Sequence, residues 1–192
     1  MFDAARQMLA GKSPEEIANK SGVSFDGAVF QVESLGGSYR FRYPDYFCCC
    51  PMNEWHCLTV MHYLHLADGF PVTGEPISLS EMPDGVIRGT KYDKVAAAEL
   101  SKFLLGKREG EIKPILEKLG AEFLSGKADL NVMLPYLPCF PLYLNIWFAD
   151  DEFPPSARLF VDRSAGHYLT VEDAVMVFEF VIELLKESEK SI

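Results

Sequence analysis

Long apolar runs are missing from this chain. No stretch of about 20 apolar residues occurs, so no transmembrane helix is predicted. Positive charge is scarce too: 18 Lys and Arg stand against 28 Asp and Glu, a net charge of −10. That balance disfavours phosphate backbones and anionic membrane surfaces, so neither nucleic acid nor membrane is expected as a partner. The nucleophile-elbow G-x-S-x-G, the zinc-protease H-E-x-x-H, the P-loop and the dinucleotide-binding G-x-G-x-x-G are all lacking. An α/β hydrolase, a zinc protease and a nucleotide-binding fold are therefore not expected. There is no C-x-x-C, and five cysteines with three in a row do not make a secreted disulfide framework. Asp3 and Arg6 interrupt the N-terminal apolar residues, unlike a signal peptide. Reduced thiols in a cytoplasmic protein are the expectation. Without repeats, low-complexity tracts or a linker, the 192 residues read as one globular domain.

What is present is densest between Phe140 and Leu185. Leu142, Leu144, Ile146 and Phe148 alternate with Tyr143, Asn145 and Trp147, the period of a strand. Both faces are too apolar for an exposed edge, so a central strand is predicted over 142–148. Asp150-Asp151-Glu152 and Pro154-Pro155 break it, because proline cannot donate to a ladder. Arg158 to Asp162 reads as the return strand. Thr170 and Asp173 form a capping-box variant opening a helix whose apolar stripe includes Val171, Ala174, Val175, Phe178, Val181, Ile182 and Leu185, closed by a charged tail at 186–190. This helix is expected to pack on the sheet.

Earlier in the chain, Ser13-Pro14-Glu15-Glu16 is a helix start that follows a short amphipathic segment over residues 1–10. A helix-turn-helix reading fails, since the second helix has no basic face and no third helix follows. A hairpin is predicted around Gly36-Gly37. Its second strand alternates Tyr39, Phe41 and Tyr43 with Arg40 and Arg42, which puts rings and guanidinium groups on opposite faces. That fits an aromatic core face better than a platform for single-stranded nucleic acid. Helices are predicted over 52–67, over 91–105 with Thr90 as cap and Asp93 in the third position, and over 111–119 with Gly120 as a left-handed end. A short strand is expected over 129–134, with Pro135, Pro138 and Pro141 confining the next segment to extended or loop structure.

Two candidate sites emerge. The first is acidic: Trp147, Asp150, Asp151 and Glu152 at a strand end, with Asp162 and His167 close in sequence. Clustered carboxylates suit a hard divalent cation or an acid–base pair. They equally suit a solvated turn. The second is a metal set on the helix over 52–67: His62 and His65 share a helix side, and Cys57 is the third donor. The alternative is that small apolar cysteines fill the core. Cys48, Cys49 and Cys50 cannot readily bind one ion together, because adjacent strand residues point to opposite faces.

Several stretches resemble a known family: Asp45-Tyr46, His62 to Gly69, Thr73-Gly74-Glu75-Pro76-Ile77, Phe160-Val161-Asp162 and Tyr168 to Asp173. The most distinctive is W-x-x-D-[DE]-E-F-P, here Trp147, Asp150, Asp151, Glu152, Phe153 and Pro154. They are similar to an uncharacterised prokaryotic domain of unknown function, found mainly in anaerobes and sometimes beside or fused to iron–sulfur cluster domains. The resemblance runs from about Ser13 to Leu185 and does not include the Cys48–Cys50 cluster. It implies an iron–sulfur protein as a possible partner and assigns no cofactor.

The expected fold is a single α+β domain, a mainly antiparallel sheet with helices packed against it. Three functions are open. One is an accessory protein of anaerobic metabolism that binds a small molecule or is linked to a cofactor. Another is a metal-dependent enzyme using Asp150, Asp151 and Glu152, with His167 as a further ligand or base. The third is an interaction module whose acidic surface meets a basic partner. A pocket in which the carboxylates converge favours the enzyme, an apolar pocket without them favours the binding protein, and a flat apolar patch favours the module.

Overall fold

Strand periodicity in the C-terminal half resolves into a five-stranded antiparallel sheet in the computed structural model, which describes residues 2–189. Its strands are β5 (Pro76–Ile77), β6 (Glu122–Leu124), β7 (Leu130–Leu137), β8 (Phe140–Trp147) and β9 (Ser156–Asp162), in the order β5-β9-β8-β7-β6. The central position expected for the Leu142–Phe148 run is realised: β8 pairs with β7 on one side and β9 on the other. Leu142, Leu144 and Ile146 are buried together with Leu130, Val132 and Leu134 of β7 and Ala157, Leu159 and Val161 of β9. The prolines do not end β7 where expected. It continues past Pro135 to Leu137 through a bulge, and the Pro135 carbonyl accepts the Leu35 amide at 2.9 Å.

A second antiparallel sheet comprises β1 (Ser24–Phe25), β2 (Val29–Ser34), β3 (Gly37–Arg42) and β4 (Phe47–Cys48). Its central hairpin turns through Leu35 and Gly36, both at positive φ. Phe30, Val32 and Phe41 are fully buried, while Arg40 and Arg42 point to solvent. The aromatic–basic alternation is thus a core face backed by a wet one.

The helices are α1 (Phe2–Leu9), α2 (Pro14–Ser21), α3 (Glu54–Leu66), α4 (Gly85–Leu104), α5 (Glu109–Lys118) and α6 (Val171–Glu189). Ser13 caps α2 by accepting the Glu16 amide, and Gly120 at φ 72° is left-handed as expected. The helix expected from Lys91 starts six residues earlier, at Gly85. Thr90 is therefore not a cap; its hydroxyl donates to the Val86 carbonyl inside the helix. Asp93 caps a different element, accepting the Leu79 and Ser80 amides of a 3-10 turn, Leu79–Glu81. The cause is steric. Gly85 and Gly89 lie against the Leu79 carbonyl so closely that a Cβ would fall 2.0 and 2.4 Å from its oxygen. Helix α6 is flanked by α4 and α3, and α4 runs beside β9. Helix α6 extends to Glu189, and the last residue of the expected charged tail, Lys190, lies outside the described residues.

Candidate functional site

The acidic loop joins β8 to β9. The Asp150 carboxylate accepts the Glu152 and Phe153 amides at 2.8 and 2.7 Å, and its own amide donates to the Phe153 carbonyl. These amide bonds hold the carboxyl below its ordinary range. Asp129 ties the loop from the β7 side by accepting the Phe148 amide at 2.7 Å. The turn so formed lifts Phe153 into solvent, 65% exposed. Between Phe153 and Trp147 runs a groove of 670 Å³, lined also by Asp129, Phe148, Asp150, Pro154, Ser156 and Arg158, with both carboxylates engaged by backbone amides. Asp151 and Glu152 are exposed and do not line it. Arg158 stands opposite Asn145 in the ladder and has no ion-pair partner among the described residues.

Asp162, expected beside this loop, is elsewhere. Six residues of extended β9 separate it from Ser156, about 20 Å at roughly 3.3 Å per residue. It is buried, and one oxygen accepts the Thr73 amide and hydroxyl and the Ser164 amide and hydroxyl at 2.7 to 3.0 Å. The other accepts the Gly74 amide at 2.8 Å and the Tyr143 hydroxyl at 3.2 Å. Burial pushes this carboxyl upward, but the bonds from Thr73 and Ser164 prevail and hold it at about 2. Tyr143 responds in the opposite sense, pushed up to about 12 by burial and the Asp162 charge. With both oxygens occupied, Asp162 is a structural anchor.

His167 forms a third location. Its Nδ1 lies 2.7 Å from an Asp68 oxygen, and its ring stacks on Phe70 at 4.0 Å and 5°. The hydrogen bond to His167 holds the Asp68 carboxyl below its usual range. The six residues of the acidic candidate therefore do not converge, because the sheet places them at opposite ends of β9.

The histidine candidate separates as well. His62 Nδ1 meets Asp173 at 2.6 Å, and the other Asp173 oxygen accepts the amide and hydroxyl of Thr170. Thr170 in turn accepts the Asp173 amide, so the predicted capping box also fixes the imidazole. Burial lowers the pKa of His65, whose Nδ1 is buried without a hydrogen-bond partner. Cys57 turns toward Cys48 and Cys50, and burial raises its thiol pKa. Among the described residues, no three of the His, Cys, Asp and Glu side chains gather where one metal ion could bind them all.

The vicinal cysteines divide as strand geometry requires. Cys49 is exposed, while the sulfurs of Cys48 and Cys50 share a side at 3.9 Å, with the Met52 sulfur 3.8 Å from that of Cys48.

Comparison with protein families matches residues 13–184 to a family described as a domain of unknown function, DUF3786. The chain belongs to that family. No curated protein and no solved structure matches it. In this DUF3786 protein the separated sequence stretches noted above meet in space: 62–76 joins 162–173 through His62–Asp173, Asp68–His167, Thr73–Asp162 and Glu75–Arg163. The stack of Tyr63 on Tyr168 adds to these. Much of the recognisable motif is thus an internal clasp, while W-x-x-D-D-E-F-P lines the 670 Å³ groove.

Neither Arg158 nor His56 was among the candidates drawn from the sequence. Arg158 was legible as an outward residue of β9, but its pairing state depends on the fold. His56 is buried, with Nε2 2.8 Å from the Ser34 hydroxyl and its ring among Tyr39, Tyr136 and Phe180. Ser34 donates to the Tyr136 carbonyl, so His56 Nε2–H donates to Ser34 and Nδ1 is left unprotonated and unpartnered. Burial drives this imidazole down to about 4.

Proposed function

We propose that this protein binds a small ring-bearing anion in the groove between Trp147 and Phe153 and serves as an accessory binding protein of anaerobic metabolism. One observation carries the reading: two aromatic rings flank a 670 Å³ groove that also contains Arg158, a guanidinium without an ion-pair partner among the described residues. That volume lies within the roughly 300–1,000 Å³ of small-molecule sites. Aromatic faces take up a planar ring, and a guanidinium suits a carboxylate or phosphate bidentately. The metal-enzyme alternative has less support, because Asp150 is occupied by two backbone amides and Asp151 and Glu152 do not line the groove.

The chain has two tryptophans, so a Trp55→Phe background leaves Trp147 as sole reporter. Aromatic carboxylates and phosphorylated ring compounds are titrated against it, and hits are repeated by calorimetry with Arg158→Ala and Phe153→Ala. A hit that quenches Trp147 and is weakened by both substitutions supports the reading. A silent panel, or hits indifferent to Arg158, sinks it.

A second reading, a module for a basic partner, is supported by the helical surface. A groove of 380 Å³ between α4 and α6 is lined by Val95, Phe178 and Ile182 with Glu179 and Glu183, and by Glu99, which is paired with Lys186 and Lys102. A neighbouring groove of 270 Å³ shares Glu179 and Glu183 and adds Trp55. An iron–sulfur protein with a basic docking face is the partner that the family resemblance favours. Charge reversal, Glu179→Lys with Glu183→Lys, should then abolish cross-linking to such a partner and leave groove ligands unaffected.

A further inference from the structure

We propose that Cys48, Cys50 and Met52 form a binding site for a soft monovalent ion of the copper(I) class. The segment is built for convergence. Cys48 ends β4, paired with Phe41 in the second sheet; the Cys49 amide donates to the Arg40 carbonyl at 2.8 Å, and the chain bends at Cys50. Strand alternation sends Cys48 and Cys49 to opposite sides, and the bend returns Cys50 to the Cys48 side, 3.9 Å from sulfur to sulfur. Pro51 then redirects the backbone, which brings the Met52 thioether over Cys48 just before Asn53 caps α3. The Cys48 sulfur thus has the Cys50 and Met52 sulfurs beside it.

Their spacing has the size a metal requires. With metal–sulfur bonds of about 2.3 Å, two sulfurs around one ion stand about 4.0 Å apart in a trigonal site and about 3.8 Å apart in a tetrahedral one. The observed separations are 3.9 Å for Cys48–Cys50 and 3.8 Å for Cys48–Met52. A thiol pair poised for a disulfide would need its sulfurs to close to about 2.05 Å, whereas an ion fits with little movement. The sulfurs also have a supporting donor: the Arg40 amide points at Cys50 Sγ at 3.4 Å, in the manner of groups that orient and stabilise metal-bound thiolates.

The donor set selects the ion. Two thiols and one thioether are all soft; Cys57 lies behind them, turned toward Cys48, but no three His, Cys, Asp and Glu side chains gather to hold an ion among the described residues. Structural zinc sites take four nitrogen or sulfur ligands, and iron–sulfur clusters are held by a full set of cysteines, so a two-thiol site suits neither. Thiolate plus thioether is the ligand chemistry of copper(I). Cys48 and Cys50 are half-buried and Cys49 is exposed, so the site lies near solvent. On binding, the thiol protons leave to water and the ion remains in its reduced state.

The test is anaerobic titration of the full reduced chain with copper(I) held by the chromophoric chelator bicinchoninate, whose colour loss reports transfer. A parallel titration uses silver(I), which has no competing redox chemistry. One ion per chain is expected. Cys48→Ser and Cys50→Ser should each weaken binding by more than about 100-fold, and Met52→Leu by about tenfold, since even supporting groups at metal sites are worth 10–100-fold. Cys49→Ser and Cys139→Ser should bind as wild type. X-ray absorption of the loaded protein should show only sulfur neighbours at about 2.3 Å. No transfer from the chelator, wild-type binding by the Cys48 or Cys50 variant, or equal loss in Cys49→Ser would each overturn the site. Met52→Leu conserves core volume, so its binding remains interpretable if a serine variant folds poorly.

Discussion

Asp162→Asn should destabilise the protein severely, and the loss should shrink in acid. In the wild type one oxygen of Asp162 receives four donors and the other two. Asparagine has one accepting oxygen. If its amide nitrogen takes the less crowded place, the Gly74 amide loses its acceptor and faces another donor, while Tyr143 can turn to accept. An unsatisfied buried donor costs about 1–3 kcal/mol, and bonds to a charged acceptor are worth about 1.5–3 kcal/mol each. Together these give about 3–5 kcal/mol at neutral pH. The pH term follows from linkage. A carboxyl held at about 2 in the fold, against an ordinary 3.8, contributes stability that is fully present above the unfolded value. It is lost as pH falls from about 4 through 2, and at about 1.4 kcal/mol per unit it amounts to about 2 kcal/mol. Urea denaturation of both proteins between pH 7 and pH 2.5 reads the difference directly, with other carboxylates cancelling. A variant within 1 kcal/mol of wild type at pH 7, or a difference that does not narrow in acid, would refute Asp162 as the anchor of the clasp.

Gly89→Ala should lower the melting temperature even though alanine is the better helix former by about 1 kcal/mol, because the new Cβ falls 2.4 Å from the Leu79 backbone. A variant that melts at or above wild type would contradict the packing of α4 on the 3-10 turn. His56 is pushed down to about 4 from 6.5, so the stability of its neutral form is complete above the unfolded value and drains as pH falls from 6.5 to 4. His56→Phe, which keeps a ring among Tyr39, Tyr136 and Phe180, should flatten the stability profile across that window; an unchanged slope between pH 7 and 4 would count against it. Asp150→Ala should free the loop, shift Trp147 emission and weaken any groove ligand, whereas Asp151→Ala/Glu152→Ala should do neither. If the double variant is the damaging one, the exposed carboxylates are the working groups.

Much of the architecture was written locally. The alternation over 142–148, the Thr170–Asp173 capping box, the Ser13 cap and the left-handed Gly120 depend on neighbours a few residues away, so the chain alone determined them. The division of three cysteines between two faces follows from the strand period in the same way. Where the relevant partner is remote in sequence, the reading failed. Asp93 reads as the third residue of a helix capped by Thr90 until Leu79 and Ser80 claim it, and that helix reads as starting at Lys91 until Gly85 and Gly89 press against their backbone. Asp162 and His167 seemed to extend the acidic loop, yet an extended strand carries the chain away at about 3.3 Å per residue. Composition and spacing determined that this is an acidic α+β chain with reactive side chains in a few clusters. Only the tertiary structure decided which carboxylates are consumed in holding the fold, because hydrogen-bond saturation is set by donors that arrive from elsewhere in the chain.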